Sequence, residues 1–401
     1  MKILGIHDGH NASVCLLEDG HICSAIQEER LARIKNFMGF PSRAINAIFK
    51  SMGLSYSDID LIAMHSRHMP MIINREQLLE EYRNSDTINM YLKRFVKVIV
   101  KKTFLKEPYL EHRRRARVQE ILKQGFEYKK IIFVDHHLAH AAAAYYGTPW
   151  IGKEEILVLT NDAGGDESNA IGVDCQVYAE EMSKQFQEIS ISPLCDLYLG
   201  LEFKNDEVED ILKRKHLPYG RKNDIEKEIA LHISQGEIVA RFKGIMEFGA
   251  RALGNRSILA DPSNTSVIQI INEMIKNRDF WMPFAPSVLK ERENDYVMNT
   301  KEINAPYMII CFDSTDKVDH LKLACHPYDN TVCPQIVEKD WSPDYYRLIK
   351  EFEKLTGIGA ILNTSFNLHG YPIVCSPEDA IGVFLKSGLK YLALENFLVR
   401  K

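Results

Sequence analysis

A chain of 401 residues with 45% hydrophobic positions is long enough for two or three domains, each with a core of its own. Its 50 lysines and arginines against 55 aspartates and glutamates leave a formal charge of −5, which gives no global field toward nucleic acid or a membrane surface. Eight cysteines, never closer than eight residues apart, exclude a C-x-x-C metal or redox motif and suit a reducing cytoplasm. The chain turns polar at His7-Asp8-Gly9-His10 and no apolar run approaches about eighteen residues, so neither a signal peptide nor a membrane span is expected.

In chain order, Ile3–Ile6, Ala12–Leu17 and Ile22–Gln27 are short apolar or alternating runs separated by Asp8-Gly9 and Asp19-Gly20, the pattern of a three-strand meander. Pro41 to Gly53 predicts a helix with a favoured first-turn residue and a favoured stop. Leu61–Met64 and Ile131–Val134 predict strands, the second leading into a helix over His136–Tyr146. Between Lys93 and Arg117, basic residues interleave with apolar ones, and a solvated helical insertion is expected there. At Ile156 the opening pattern recurs, with Ile156–Thr160, a glycine-containing acidic turn over residues 161–166 and Ala170–Val173. Two such meanders suggest a duplicated actin-like ATPase fold.

Three polar, cation-rich turns follow apolar runs in the C-terminal half. The first, Met246–Pro262, follows a probable strand at Glu237–Phe242 and crowds Arg251, Asn255, Arg256 and Ser257 beside Gly249 and Gly254. Guanidinium forks bind phosphate or carboxylate bidentately, and glycines let backbone N–H groups reach the same oxygens, so this is an anion-binding composition; a surface salt-bridge segment is the alternative. The second is Lys276-Asn277-Arg278, ending a helical pattern begun near Ser266, and the third is Leu362–Gly370, with Asn363, Ser365 and Asn367. In the N-terminal half, His136 and His140 lie four apart on one helical face, a spacing that suits chelation of a transition metal, with Asp162 placed to add a carboxylate. Hydrogen-bonded core histidines would give the same spacing.

The K-x-R and S-x-N pairs resemble the nucleotide-binding signatures of YrdC-like domains. The strings GIMEFGARALGNRSILADP, NRDFWMPFAPSVL and LNTSFNLHGYPIV together resemble the carbamoyltransferase family of nodulation proteins and antibiotic-tailoring O-carbamoyltransferases. The resemblance implies an α/β protein: a truncated actin-like ATPase-fold domain over residues 1–197, then a YrdC-like α/β domain over residues 198–401. It implies that carbamoyl phosphate and ATP form a carbamoyl-adenylate on Arg251, Asn255, Arg256, Ser257, Lys276, Arg278, His326, Asn363, Ser365 and Asn367. It further implies transfer of the carbamoyl group to a small hydroxylated acceptor beside His10 and Lys35, with a divalent metal, iron foremost, on His136, His140 and Asp162, and magnesium with ATP. His137 lies off the metal face and is expected either to support the ligands from behind or to be structural. Departures from the family pattern are Cys333 and Met282 at positions where arginine is usual, and a missing middle, since the second half of the N-terminal domain runs out within a few residues of Pro193. A homodimer or a partner protein would cover the truncated lobe. The alternatives are an adenylate-forming half-enzyme that needs a partner and a non-catalytic nucleotide-binding paralogue.

Overall fold

The computed structural model describes residues 1–66, 106–147, 157–161, 170–174, 192, 194, 196–271 and 283–401. The chain divides into two compact units, Met1–Cys195 and Asp196–Lys401. Each has a sheet of its own, so the α/β class is borne out.

The N-terminal unit is built on β1 (Lys2–His7), β2 (Ser13–Glu18), β3 (His21–Gln27), β4 (Leu61–His65) and β5 (Ile131–Val134), in the sheet order β3-β2-β1-β4-β5. The first three strands form the expected antiparallel meander, while β4 and β5 run parallel to β1. Burial alternates along β1, β2 and β4, where Leu4, Ile6, Val14, Leu16, Ile62 and Met64 are buried, and β3 adds Ala25 and Ile26. Helix α1 (Glu28–Ala32) and helix α2 (Ser42–Met52) follow β3. In α2, Ala44, Ile45, Ile48 and Phe49 are buried, the spacing of one helical stripe. It stops where expected, at Gly53, whose φ of 65° suits a residue without Cβ and whose N–H returns to the Phe49 carbonyl.

Helix α3 (Lys106–Lys123) is the described part of the expected basic helical insertion; within the expected bounds Leu110 and Arg117 are buried, and Val118 and Ile121 beyond them are buried too. Residues 67–105 lie outside the described residues. Helix α4 (His136–Tyr146) begins directly after β5, capped by the Asp135 carboxylate, which accepts from the His137 and Leu138 N–H groups at 2.9 and 3.2 Å. Strands β6 (Leu157–Asn161) and β7 (Ala170–Asp174) pair as an antiparallel hairpin, the described part of the second meander.

The C-terminal unit is an eight-stranded sheet with helices on both faces. Its elements are α5 (Asn205–Arg214), β8 (Tyr219–Arg221), α6 (Ile225–Ser234), β9 (Val239–Phe242), β10 (Arg256–Ala260), α7 (Ser266–Ile271), β11 (Ala285–Leu289), β12 (Gln335–Val337), α8 (Pro343–Thr356), β13 (Ala360–Ser365), α9 (Pro377–Lys386), β14 (Tyr391–Leu394) and β15 (Phe397–Arg400). The strand order is β12-β11-β13-β10-β9-β14-β15-β8. Because both faces are covered, the central strands read as unbroken buried runs rather than alternations: every residue of β9, β10 and β14 is buried. One core packs Ala240, Phe242, Ile258 and Leu392 against Ile211 of α5 and Phe384 of α9. The other packs Val239, Leu259 and Ala393 against Ile229 of α6 and Phe352 of α8. Among the described residues, no helix is long and apolar enough to cross a membrane.

Candidate functional site

The three mutually parallel strands of the N-terminal unit deliver histidines to one end of the sheet. His7 ends β1, His65 ends β4, and β5 leads through Asp135 into His136. Loops at the carboxyl ends of parallel strands are where α/β sheets place their ligands. One turn along α4 from His136 comes His140, and the two rings lie with centroids 4.7 Å apart. His65 completes the group: nitrogens of His65, His136 and His140 all lie within 4.8 Å of one another. His65 is the residue that sequence reasoning missed. The available signal was a histidine at the end of each parallel strand, whereas the i, i+4 spacing shows only histidines sharing a helix. Asp162, the expected carboxylate ligand, lies outside the described residues.

Behind this cluster is an ion pair. Arg117 of α3 donates from Nε and Nη2 to the two Asp8 carboxylate oxygens at 2.7 and 2.8 Å, and from Nη1 and Nη2 to the carbonyls of Ser66 and His65 at 2.7 and 2.9 Å. Both partners are buried, so the fork holds the ends of β1 and β4 in register beneath the histidines. His137 is buried, with Nδ1 at 2.7 Å from Thr160 Oγ1. Burial first, then the neighbouring imidazoles and Arg117, push His65 down to about 3, and burial lowers His7 as well. Neutral imidazoles at neutral pH are the form that binds metal. Three close imidazole nitrogens are a donor set for zinc or iron rather than for magnesium, so these residues fit a transition metal.

His10 and Lys35 are both exposed. Their loops are joined through an antiparallel bridge between His10 and Met38 and an Ala12 N–H bond to the Phe37 carbonyl at 3.0 Å. The Glu29 carboxylate accepts from the Asn36 N–H at 2.8 Å and so fixes the turn that carries Lys35.

The C-terminal motif residues are arranged differently from the anion-binding reading. Arg256 is fully buried and its Nη atoms donate to four carbonyls, those of Lys243, Asn255, Leu201 and Gly244, at 2.9 to 3.2 Å. Its Cζ lies 3.7 Å from the Phe242 ring centroid, and burial pushes its pKa down to about 10. Arg256 therefore ties a loop to the sheet. Asn255 accepts from Arg241 and donates to the Ile245 carbonyl, both at 2.8 Å; Ser257 Oγ accepts the Gly254 N–H at 3.0 Å. Gly254, at φ 114°, needs its lack of Cβ because one would meet Tyr345 Cδ1 at 2.4 Å, so packing and not anion approach explains this glycine. Glu247, passed over in the sequence, closes the turn by accepting from the Leu253 and Arg256 N–H groups at 2.7 and 3.1 Å.

Asn363 is buried and its Nδ2 lies at 3.1 Å from the Ala252 carbonyl and Ser287 Oγ and 3.3 Å from Gln335 Oε1, joining β13, β11 and β12 to the same turn. Ser365 donates to Asn367 Oδ1 at 2.6 Å, and Asn367 Nδ2 donates to the Leu368 and Tyr371 carbonyls at 2.9 and 2.8 Å, so the S-x-N pair shapes the turn after β13. In register, Ser257 pairs with Ser365, which places the first and third motif turns on neighbouring strands. Arg251 is the exposed cation of the first turn. His326 sits on a separate turn, its Nδ1 3.0 Å from Asp329 Oδ1. Cys333 is disulfide-paired with Cys311, 22 residues earlier. Lys276, Arg278 and Met282 lie outside the described residues.

Residues 2–192 match the family model for the carbamoyltransferase N-terminus and residues 230–401 that for the carbamoyltransferase C-terminus. The chain belongs to the carbamoyltransferase family. It is 36% identical over 263 residues to an uncharacterised protein of Synechocystis sp., covering 60% of this chain and 42% of that one. It is 35% identical over 214 residues to nodulation protein NolO of Bradyrhizobium diazoefficiens, covering 52% and 39%. It is 30% identical over 185 residues to a 3'-hydroxymethylcephem-O-carbamoyltransferase of Amycolatopsis lactamdurans, covering 46% and 34%. The matched regions are about two fifths of the length of the first of these curated relatives.

Proposed function

We propose that this chain is an ATP-dependent O-carbamoyltransferase acting on a hydroxyl of a small molecule. The observation that carries the reading is the succession, in one chain, of the N- and C-terminal domains of the family. The sheet order of the N-terminal unit supports the actin-like half-domain, and residues 196–401 are taken as the YrdC-like adenylating domain.

In the first half-reaction, carbamoyl phosphate, ATP and one water give carbamoyl-adenylate, pyrophosphate and phosphate: water cleaves carbamoyl phosphate to carbamate, and a carbamate oxygen displaces pyrophosphate from the α-phosphorus. Arg251, Lys276 and Arg278 are assigned to the phosphates, with magnesium accompanying ATP. Asn255, Arg256 and Ser257 hold the turn that carries Arg251, and Asn363, Ser365 and Asn367 tie the end of β13 and the turn after it to that region. In the second half-reaction an acceptor hydroxyl attacks the carbamoyl carbon and AMP leaves. His10 is assigned to take the hydroxyl proton, and Lys35 to donate to the tetrahedral oxyanion. A transition metal on His65, His136 and His140 would supply Lewis-acid binding of a phosphate or carbonyl oxygen.

The test is pyrophosphate release by the purified chain with ATP, with and without carbamoyl phosphate. Release that requires carbamoyl phosphate and fails in Lys276→Ala is the expected outcome. ATP binding with no pyrophosphate under any donor condition would leave the non-catalytic paralogue as the reading.

A further inference from the structure

We infer that His7 is a positioning residue that fixes the tautomer of His65, making His65 an Nε2 ligand in a three-histidine metal centre. The inference rests on the reading that His65, His136 and His140 hold a metal, and it adds which nitrogen of His65 binds and the residue that orients it.

The argument follows the protons. His7 Nε2 lies 2.8 Å from the His10 carbonyl oxygen, which can only accept, so Nε2 of His7 carries the hydrogen. A neutral imidazole with its hydrogen on Nε2 has a lone pair on Nδ1. His7 Nδ1 lies 2.9 Å from His65 Nδ1, so His65 must donate there and carries its own hydrogen on Nδ1. That leaves the His65 lone pair on Nε2, the nitrogen a metal would take. The sequence carbonyl, imidazole, imidazole, metal has the form by which outer partners orient metal-binding histidines and raise their basicity.

The surrounding structure keeps the relay in place. His7 and His65 terminate adjacent parallel strands, held in register by the Ile6–Met64 pair just before them. Arg117 donates to the His65 carbonyl at 2.9 Å while gripping Asp8, next to His7, so both strand ends are fixed from behind. The His65 ring faces His136 edge-on with centroids 4.8 Å apart, and His140 at 6.1 Å. The relay ends on the backbone of His10, the residue assigned above to proton transfer, so the metal centre and that turn share a hydrogen-bonded connection.

Three imidazole donors select zinc, iron(II) or cobalt(II) over magnesium or calcium. The experiment is titration of the purified chain with cobalt(II), followed by calorimetry and by visible absorption, in the wild type and in His136→Ala, His65→Ala, His7→Phe and His7→Gln. Glutamine can still accept at Oε1 and donate from Nε2, so it preserves both ends of the relay. We expect His65→Ala and His7→Phe to weaken cobalt binding about 10- to 100-fold and to change its spectrum, with His7→Gln restoring most of the affinity. A merely structural role for His7 would alter the melting temperature and leave the cobalt spectrum of the folded fraction unchanged, which would overturn the relay. Wild-type affinity in His65→Ala alongside lost binding in His136→Ala would remove His65 from the site while leaving the metal reading intact. Failure of the wild-type chain to bind cobalt at all would overturn the metal reading and the inference with it.

Discussion

The Arg256 guanidinium sits over the Phe242 ring and donates to four carbonyls, which makes it a buried cation whose removal strands several acceptors. Each stranded buried acceptor costs about 1–3 kcal/mol, so Arg256→Ala should lower the unfolding free energy by at least about 3 kcal/mol in urea denaturation. A variant with wild-type stability and weakened ATP affinity would return Arg256 to the anion site. Glu28 offers a second residue-scale test. Burial raises its carboxyl from the ordinary 4.5 to about 7, against the Ala44 and Arg43 N–H groups that favour ionisation. The folded chain then binds that proton more tightly than the unfolded one, so its contribution to stability is fully present below pH 4.5 and lost as the pH rises to about 7. The wild type should lose up to about 3 kcal/mol across this window relative to Glu28→Gln; parallel stability curves for the two proteins would contradict the assignment.

At the scale of elements, the Asp8–Arg117 fork fastens α3 across the ends of β1 and β4. Breaking a buried pair by removing one partner costs about 3–5 kcal/mol, so Arg117→Ala should unfold at lower urea by that amount and also loosen the histidine cluster. Unchanged stability would mean that the ends of β1 and β4 are held in register without it. The meander, α2, β5 and α4 were legible because their signals are local: alternation, a proline start, a glycine stop, an apolar run before a helix. Arg117 was misread because its partner is 109 residues away, and no local pattern reveals that a basic residue on a basic helix meets a buried aspartate. The same limit explains Arg256 and Gly254. Arginine, asparagine and glycine beside one another suit an anion, and they equally suit a buried network; only the positions of Phe242 and Tyr345 decide between these. His65 was hidden because a candidate metal site drawn from the end of one strand and from a distant helix has no spacing in sequence.

At the scale of the whole molecule, two units with separate cores suit two half-reactions. Adenylate formation is assigned to the C-terminal unit, and the histidine centre with His10 and Lys35 to transfer. His136→Ala should therefore spare pyrophosphate release and suppress transfer; loss of both together would show that the metal centre serves the first step. The most direct measurement is rapid-quench mass spectrometry of the wild-type chain mixed with ATP and carbamoyl phosphate in the absence of acceptor. The account predicts enzyme-associated carbamoyl-adenylate, formed in step with pyrophosphate and absent when carbamoyl phosphate is omitted. ATP bound and recovered intact, with neither adenylate nor pyrophosphate at any time, would contradict it.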